Sequence, residues 1–344
     1  MKNKLKHLVP VLLALATITG SLSSCELKPK AQQKVSKQGF YFDTIIQITL
    51  YGTTDEKYID DCFDMAKKYE DMLSNTVSYS EVSKINDAAG KEYVTVSNDT
   101  LELIKNGIEY GDTSDGRFDI TIGKLSDLWN FSEIAENTDS KDNEVDASVV
   151  PSDAQIQSEL SHVNYRNIQI NGNDVMLTDS KAKLDLGGIA KGFIADKMKA
   201  YLQSKKITSG IINLGGNVLT VGEKSDGSDY TVGIQKPFDE SGEPICTVKI
   251  KDKSVVTSGI YERYYRVDGK LYHHILDTTT GYPVKNNLYS VTIISDSSCD
   301  GDALSTTCFA LGIDKAKELI NSLSGVEAIF VTDDYSIILS LIHI

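Results

Sequence analysis

The chain has 344 residues, 40% hydrophobic and 24% charged, which is enough for one large domain or two small ones. Its formal net charge of −14 at pH 7 argues against nucleic-acid partners and against binding an anionic membrane by charge. The five cysteines form no CxxC pair and have no zinc-site spacing with histidines. Cys299 and Cys308 lie in a small-residue helical segment, which favours buried free thiols over disulfides.

The first 24 residues are typical of a bacterial lipoprotein signal peptide. Three lysines within the first six residues form a positive n-region, and Leu8–Leu22 is apolar but too short to span a bilayer. Leu22–Cys25 resembles a lipobox, so we expect Cys25 to be lipidated; the alternative is a plain signal peptide with an incidental cysteine. Residues 25–38 are polar and lysine-rich and are predicted to be a tether. The protein is therefore predicted to be extracytoplasmic and anchored to the membrane by its lipid.

Residues 39–338 are predicted to form a single α+β domain with two sheet-rich halves and packed helices. Alternating apolar residues predict a strand over Gly39–Gly52, and helical spacing predicts helices over Ser80–Asn86 and Leu101–Asp112. The acidic segment Ser132–Gln157 is poor in apolar residues and is predicted to be a mobile surface connection. Residues 339–344 differ in character from the preceding strand, and we expect them to be a non-native tail.

A strand, a glycine pair and a helix start follow one another in the middle of the chain. The pattern predicts a short strand over Leu184–Leu186, a turn at the two glycines that follow, and a helix over Ile189–Ser204. Such a turn is a ready anion site, because glycine lets the backbone approach a phosphate and the first helical N–H groups face it. Asp185 and Lys191 place opposite charges on its two sides.

The later, strand-rich half contains two further candidate sites. If Asp302 opens a helix, Thr306 lies on the same face, and together they offer the oxygen ligands that Mg²⁺ prefers. The alternative is a helix-capping aspartate with a surface threonine. His274 precedes a Thr-Gly turn and is a candidate general base, although a structural histidine is the alternative.

Taken together and in this order, these stretches resemble the ApbE family, the FAD:protein FMN transferases, over nearly the whole mature chain. The resemblance rests on six motifs: Ser80–Asn86, Gly116–Thr121, Leu184–Gly192, Asn213–Gly216, His274–Gly281 and Asp302–Thr306. It implies Mg²⁺-dependent transfer of FMN from FAD to a threonine or serine hydroxyl of an acceptor flavoprotein, with release of AMP. The implied acceptors are redox-pump subunits or extracellular reductases.

The resemblance also implies roles for individual residues. His274 matches the residue that deprotonates the acceptor hydroxyl and, with Asp302, forms the implied catalytic pair. FAD is expected in a groove between the two halves, near Gly187, Gly188 and Asp302. The implied metal ligands are the Gly188 carbonyl, Asp302 and Thr306, with Ser305 nearby. The implied FAD-contacting positions are Phe42, Thr76, Trp129, Asn130, Phe131, Asp185, Lys191 and Leu276.

Three positions depart from the family pattern. Phe42-Asp43-Thr44 stands where Met-Gly-Thr is usual, Thr76 replaces a common tyrosine, and Thr278 replaces a proline. Trp129, the only tryptophan, also has a simpler interpretation as a core aromatic beside Phe131. Two alternatives to the transferase remain open: an FAD pyrophosphatase that gives FMN and AMP, and a non-catalytic flavin-binding lipoprotein.

Overall fold

The computed structural model describes residues 33–138, 143–239 and 241–340, which form the single α+β domain that the sequence predicts. Its strands are β1 (Lys34–Tyr41), β2 (Thr44–Tyr51), β3 (Val94–Thr95), β4 (Ile168–Asn171), β5 (Asp174–Leu177), β6 (Ser209–Leu214), β7 (Asn217–Gly222), β8 (Tyr230–Gln235), β9 (Pro244–Ile250), β10 (Ser254–Gly259), β11 (Tyr264–Val267), β12 (Lys270–His273), β13 (Leu288–Ser295), β14 (Glu327–Thr332) and β15 (Ile337–Leu339). Its helices are α1 (Lys57–Leu73), α2 (Glu81–Asp87), α3 (Asn98–Thr113), α4 (Gly123–Trp129), α5 (Phe131–Glu136), α6 (Asp153–Leu160), α7 (Ala190–Ser204), α8 (Ser298–Leu311) and α9 (Ile313–Ser322).

One eight-stranded antiparallel sheet joins the two halves of the domain. Its strand order is β1-β2-β6-β7-β10-β13-β14-β15, so each half supplies four neighbouring strands, and the halves meet where β7 pairs with β10. Three small antiparallel sheets, β3-β5-β4, β8-β9 and β11-β12, lie outside it. The two sheet-rich halves are therefore parts of one continuous sheet.

Helix α8 lies at the centre of the molecule, against β10, β13 and α7. Nearly every residue from Ser298 to Phe309 is buried, as expected for a helix enclosed on several sides. Small residues permit this close packing: a Cβ on Gly301 would lie 2.7 Å from a methyl carbon of Val256 on β10. The pairing of α7 with α8 places the motifs of the two halves side by side.

The N-terminal prediction needs two corrections. Strand β1 begins at Lys34, inside the predicted tether, and pairs with β2 along its whole length. The single strand predicted over Gly39–Gly52 is a hairpin, whose turn at Phe42 and Asp43 has φ values of 52° and 54°. No glycine or proline marks this turn in the sequence, so alternation alone could not reveal it. Residues 1–32, with the predicted signal peptide and Cys25, lie outside the described residues.

Two internal segments also differ from expectation. Residues 184–186 form no paired strand; only Lys183 makes an isolated bridge, with Ile122. The segment predicted as a mobile connection contains most of α5 and the start of α6, which Ser152 and Gln155 begin with a capping box. Ile156 anchors α6 because its side chain is fully buried.

Most other predicted elements are confirmed, including α2 with Ser80 as its N-cap. The four cysteines within the described ranges are free thiols, and Cys299 and Cys308 are buried as predicted. At the C-terminus, Leu339 ends β15 and Ser340 Oγ accepts the Ala328 N–H at 2.9 Å; residues 341–344 lie outside the described residues. No helix in the described ranges combines the length and apolar character needed to cross a bilayer.

Candidate active site

The stretch before α7 is held in place by main-chain hydrogen bonds from two other motifs. The Asn86 side chain on α2 accepts the Leu184 N–H at 2.7 Å and donates to the Leu184 carbonyl at 3.1 Å. On the other side, the Asp185 N–H donates to the Ile120 carbonyl at 2.8 Å. Two motifs that are distant in sequence therefore fix the path of the chain as it enters the glycine turn.

The glycine turn is bridged by the two charged residues that flank it. Asp185 Oδ1 accepts the Gly187 N–H at 2.8 Å, and Lys191 Nζ donates to the Gly187 carbonyl at 3.3 Å. Gly187 and Gly188 are exposed, and Lys191 lies in the first turn of α7 as predicted. Because the Gly187 N–H already donates to Asp185, the groups of this turn that remain for a ligand are the Gly188 backbone and the ammonium group of Lys191.

Asp302 is a buried carboxylate at the crossing of α7 and α8. Helix α8 begins at Ser298, so Asp302 lies one turn inside the helix rather than at its start, which corrects the prediction. Its Oδ2 accepts the Gly192 N–H at 2.7 Å. Burial raises the pKa of Asp302, while the nearby charge of Lys191, the Gly192 N–H and the Asn217 side chain oppose that rise.

Hydroxyl groups surround the next turn of α8. Ser258 Oγ, on β10, lies 2.7 Å from Ser305 Oγ and 3.1 Å from Thr306 Oγ1. Ser305 is fully buried and donates to the Asp302 carbonyl at 3.0 Å, whereas Thr306 is partly exposed. Thr306 therefore offers the more accessible oxygen of this face, beside the buried Asp302 carboxylate, and the hydroxyl of Ser305 is engaged within the protein. The sequence analysis did not identify the Ser258 hydroxyl as part of this site.

This set of oxygens fits Mg²⁺. The described residues contain no cluster of three or more His, Cys, Asp or Glu side chains that could hold a metal by themselves. Mg²⁺ is bound in many proteins by one or two carboxylates together with waters and substrate phosphates, and Asp302 with hard hydroxyl and carbonyl oxygens is such a set. Asn217 is buried beside Asp302, and its side-chain amide counteracts the rise in the Asp302 pKa.

His274 immediately follows β12 and is held by the main chain of Arg263. The Arg263 carbonyl lies 3.2 Å from His274 Nδ1 and also accepts the His274 N–H at 3.1 Å. Because a carbonyl only accepts, this contact places the proton on Nδ1 and leaves the Nε2 lone pair free. Burial, reinforced by the charges of Arg263 and Lys191, lowers the pKa of His274 to about 3, so the ring is neutral at pH 7.

Two charged residues that the sequence analysis did not identify join this group. Glu262 is exposed, yet the surrounding protein raises its pKa to about 7, aided by the Asp302 charge and opposed by Lys191 and Arg263. Arg263 acts on His274 both through its carbonyl and through its charge. In the sequence, Glu262 and Arg263 stand out only as two charged residues between tyrosines. In the structure, Tyr264 pairs with His273, which places Glu262 and Arg263 beside the candidate base His274.

The predicted aromatic contacts belong largely to the core. Trp129 is fully buried, stacks on Phe131 with ring centroids 5.6 Å apart, and donates from Nε1 to the Gly281 carbonyl at 2.8 Å. Leu276 is buried in the same cluster. Of Trp129, Asn130 and Phe131, only Asn130 exposes its side chain, so the core interpretation holds for the two aromatic rings.

Phe42 and Thr76 lie in two separate turns. Phe42 occupies the β1–β2 turn and donates its N–H to Glu70 Oε1 at 2.8 Å, next to the Gly215 turn that leads to Asn217. Thr76 is exposed in the α1–α2 connection and bonds to Ser74. Nothing in the described contacts joins either Phe42 or Thr76 to Asp302 or His274.

The loop after His274 is tied to the Gly116 motif. Arg117 pairs with Asp277 at 2.9 Å, and Thr278 donates its hydroxyl to the Gly116 carbonyl at 2.7 Å. The threonine that stands in place of the usual proline thus makes a bond that proline lacks. The structure therefore brings five of the six motifs into a connected set around Asp302 and His274.

The sequence model of the ApbE family matches residues 42–330. The chain belongs to the ApbE family. It is 38% identical to the FAD:protein FMN transferase of Klebsiella pneumoniae over 86% of this chain and 88% of that protein, and 29% identical to the one of Treponema pallidum over 93% and 90%. The crystal structure of the ApbE protein of Thermotoga maritima superposes with a TM-score of 0.80 at 30% identity, covering 90% of this chain and 97% of that one.

Proposed function

We propose that this ApbE-family protein is an FAD:protein FMN transferase that moves the FMN half of FAD onto a threonine or serine hydroxyl of an acceptor flavoprotein and releases AMP. The relatives with this name support the activity. The observation that carries the proposal is that Gly192, next to the cation Lys191, donates its N–H to the buried carboxylate of Asp302, while the charge of Lys191 also acts on the neutral ring of His274. A carboxylate that can hold a metal, a cation that offsets phosphate charge and a base that takes the hydroxyl proton can together promote phosphoryl transfer to a hydroxyl.

The transfer exchanges one P–O bond for another. The acceptor hydroxyl oxygen attacks the FMN-side phosphorus of FAD, the bridging P–O bond of the pyrophosphate breaks, and AMP leaves with that bonding pair. The free Nε2 of His274 takes the hydroxyl proton, while Lys191 supplies positive charge to the phosphates. Mg²⁺ held by Asp302, Thr306 and the Gly188 carbonyl, next to Ser305, would neutralise further phosphate charge.

The test uses the full chain in detergent with FAD, Mg²⁺ and a flavoprotein domain that carries an acceptor threonine. We expect an acceptor band that keeps flavin fluorescence after denaturation, requires Mg²⁺, and is absent with Asp302→Ala or His274→Ala. Release of AMP and free FMN without a labelled acceptor would instead show the pyrophosphatase. FAD binding without either product would show a flavin-binding protein.

We further propose an extracytoplasmic location, with a lipid on Cys25 as the membrane anchor. Support comes from the positive n-region, the short apolar segment and the lipobox-like Leu22–Cys25 sequence. In bacterial cells, Cys25→Ser is expected to move the protein from the membrane fraction to a soluble or unprocessed form. Recovery of the variant in the membrane fraction at the parental level would contradict the anchor. The acceptor is then a redox-pump subunit or an extracellular reductase that is exposed on the same side.

A further inference from the structure

The crossing of α7 and α8 contains a second acidic residue, which the proposed mechanism does not use. Asp196, on α7, accepts the Ser298 N–H through Oδ1 at 2.8 Å. Its Oδ2 accepts the Cys299 N–H at 2.9 Å and the Ser297 hydroxyl at 3.0 Å. The Asp300 N–H is taken by Ser297 Oγ at 3.1 Å, so the N–H groups of the first three residues of α8 are all bonded. A side chain from a neighbouring helix thus completes the cap of α8.

Asp196 lies four residues after Gly192, so both occupy the same face of α7. Gly192 donates its N–H to Asp302 Oδ2, one turn further along α8 than the cap. A Cβ on Gly192 would lie 2.1 Å from the Ser298 carbonyl oxygen, which shows that the two helix backbones touch. One face of α7 therefore holds α8 at two successive turns.

This geometry gives α8 a single position along α7. A shift or rotation of α8 that kept the Gly192–Asp302 bond would break the bonds of Asp196 to Ser298 and Cys299, and the reverse also holds. The face of α8 that carries Asp302 and Thr306 is consequently set by a contact that touches neither residue.

We propose that Asp196 is a positioning residue of the active site, whose bonds to the first turn of α8 hold Asp302 and Thr306 in the orientation that binds Mg²⁺. This inference rests on the proposed function. Asp196 touches no reacting group. Asp196 differs in this respect from Ser297. Ser297 caps α8 from the residue directly before the helix, and its one described bond to α7 is the one to Asp196.

The decisive variant is Asp196→Asn, which keeps the side-chain shape but turns one acceptor into an NH₂ group that faces the N–H donors of α8. The full chain is titrated with MgCl₂ in the absence of FAD and acceptor, by calorimetry and by the Mg²⁺-dependent rise in Tm. We expect the Mg²⁺ affinity to fall about tenfold or more, and the Mg²⁺ concentration for half-maximal turnover to rise in parallel, with little change in the KM for FAD.

The matched control is Ser152→Ala, which removes the cap of α6. Helix α6 lies in the cluster around Trp129, away from α7 and α8. We expect this variant to lose Tm to a similar extent and to keep parental Mg²⁺ affinity. If Asp196→Asn behaves in the same way as this control, Asp196 is only a helix cap and the inference is wrong.

Should Asp196→Asn fail to fold, Ser297→Ala takes its place. It removes one of the three donors to Asp196 together with the acceptor of the Asp300 N–H, and it leaves the two backbone N–H bonds to Asp196. A decrease in Mg²⁺ affinity of less than tenfold supports the inference, whereas an unchanged affinity contradicts it. Failure of the proposed function is distinct, because the unsubstituted protein would then show neither Mg²⁺ binding nor Mg²⁺-dependent transfer.

Discussion

At the α7–α8 crossing an acidic side chain is held by a main-chain donor, whereas after the β11–β12 hairpin a basic ring is held by a main-chain acceptor. Asp302 receives the N–H of Gly192, and His274 faces the carbonyl of Arg263. Burial raises the pKa of Asp302 and lowers that of His274, so it disfavours the charged form of both. The backbone thus fixes where each group points, and burial fixes its preferred protonation state.

The two regions also differ in how much of the molecule stabilises them. The crossing lies between two helices and a sheet, and its polar groups are bonded across α7 and α8. The His274 segment depends on a two-stranded sheet and on the bonds from Arg117 and Thr278 to the loop and the Gly116 motif. We therefore expect changes at the crossing to alter stability and metal binding, and changes at His274 to alter the chemical step alone.

The largest expected effect tests the His274 half of this comparison. Removal of a general base costs about 10²- to 10⁴-fold in rate, so His274→Ala should lower kcat for acceptor labelling by that factor. Because His274 holds no part of the crossing, Mg²⁺ affinity and Tm should stay near the parental values. Steady-state kinetics and a MgCl₂ titration check both. A parallel loss of Mg²⁺ affinity would show that the two regions are not independent.

The second effect comes from His273, which is buried beside the candidate base. Its Nε2 donates to the Val284 carbonyl and its Nδ1 accepts the Ile275 N–H, so both nitrogens are satisfied only in the neutral ring. Burial lowers the pKa of His273 from 6.5 to about 4. As the unfolded chain binds a proton first, stability is complete above about pH 6.5 and falls as the pH drops toward 4.

The loss over this window is about 3 kcal/mol, since each pKa unit corresponds to about 1.4 kcal/mol. Urea unfolding at several pH values measures it. His273→Gln offers a donor and an acceptor without the titration, and it should remove most of the slope between pH 6.5 and 4. An unchanged slope in that variant would assign the acid sensitivity to another group.

A smaller loss of stability is expected at the crossing itself. In Gly192→Ala the new Cβ meets the Ser298 carbonyl, a backbone group that can move only with α8. Overpacking of this kind costs about 1–3 kcal/mol, more than the gain in helix propensity returns. Turnover and Mg²⁺ affinity should fall too, because Asp302 moves with α8.

Gly107→Ala is the matched control for this substitution. Its Cβ would meet the Ile120 side chain at 2.6 Å, so it also overpacks a helix, but against a movable methyl group rather than backbone. Denaturant unfolding should show a loss of stability in both variants, with Mg²⁺ affinity lowered only in Gly192→Ala. Equal effects on Mg²⁺ affinity would remove the special role of the crossing.

The fold was predictable wherever the pattern is local. Helical and alternating periodicity identified α2, α3 and α7 and most strands, because those patterns record which face of an element is buried. The β1–β2 turn escaped because Phe42 and Asp43 adopt positive φ without a glycine. Residues 184–186 look like a strand because their side chains alternate in burial, although their backbone bonds go to Asn86 and Ile120.

The candidate site was predictable in its residue types and less so in its contacts. The motif match identified His274, Asp302, Thr306 and Lys191; Asp302 and Thr306 share α8, and the charge of Lys191 acts on both Asp302 and His274. The bond that orients Asp302, from the Gly192 N–H, joins residues 110 positions apart, and no local pattern encodes such a pair. The burial of Trp129 likewise depends on packing against Phe131 and against Tyr272 of the β11–β12 hairpin.

The smallest expected effect concerns Glu262, which faces both regions of the site. Its pKa is raised from 4.5 to about 7, so the folded protein holds this proton more tightly than the unfolded chain. The resulting stabilisation is complete below pH 4.5 and is lost as the pH rises through about 7. Glu262→Gln should therefore gain stability relative to the parent between these values and keep a constant advantage above them. Because the side chain is exposed, solvent screening holds the gain below about 1 kcal/mol.

Urea unfolding at pH 5 and pH 8 measures this gain in stability, with the exposed Glu243→Gln as the charge-matched control. An advantage that does not grow with pH would mean that the Glu262 carboxylate is as well solvated as the control and that its pKa is not raised by its surroundings.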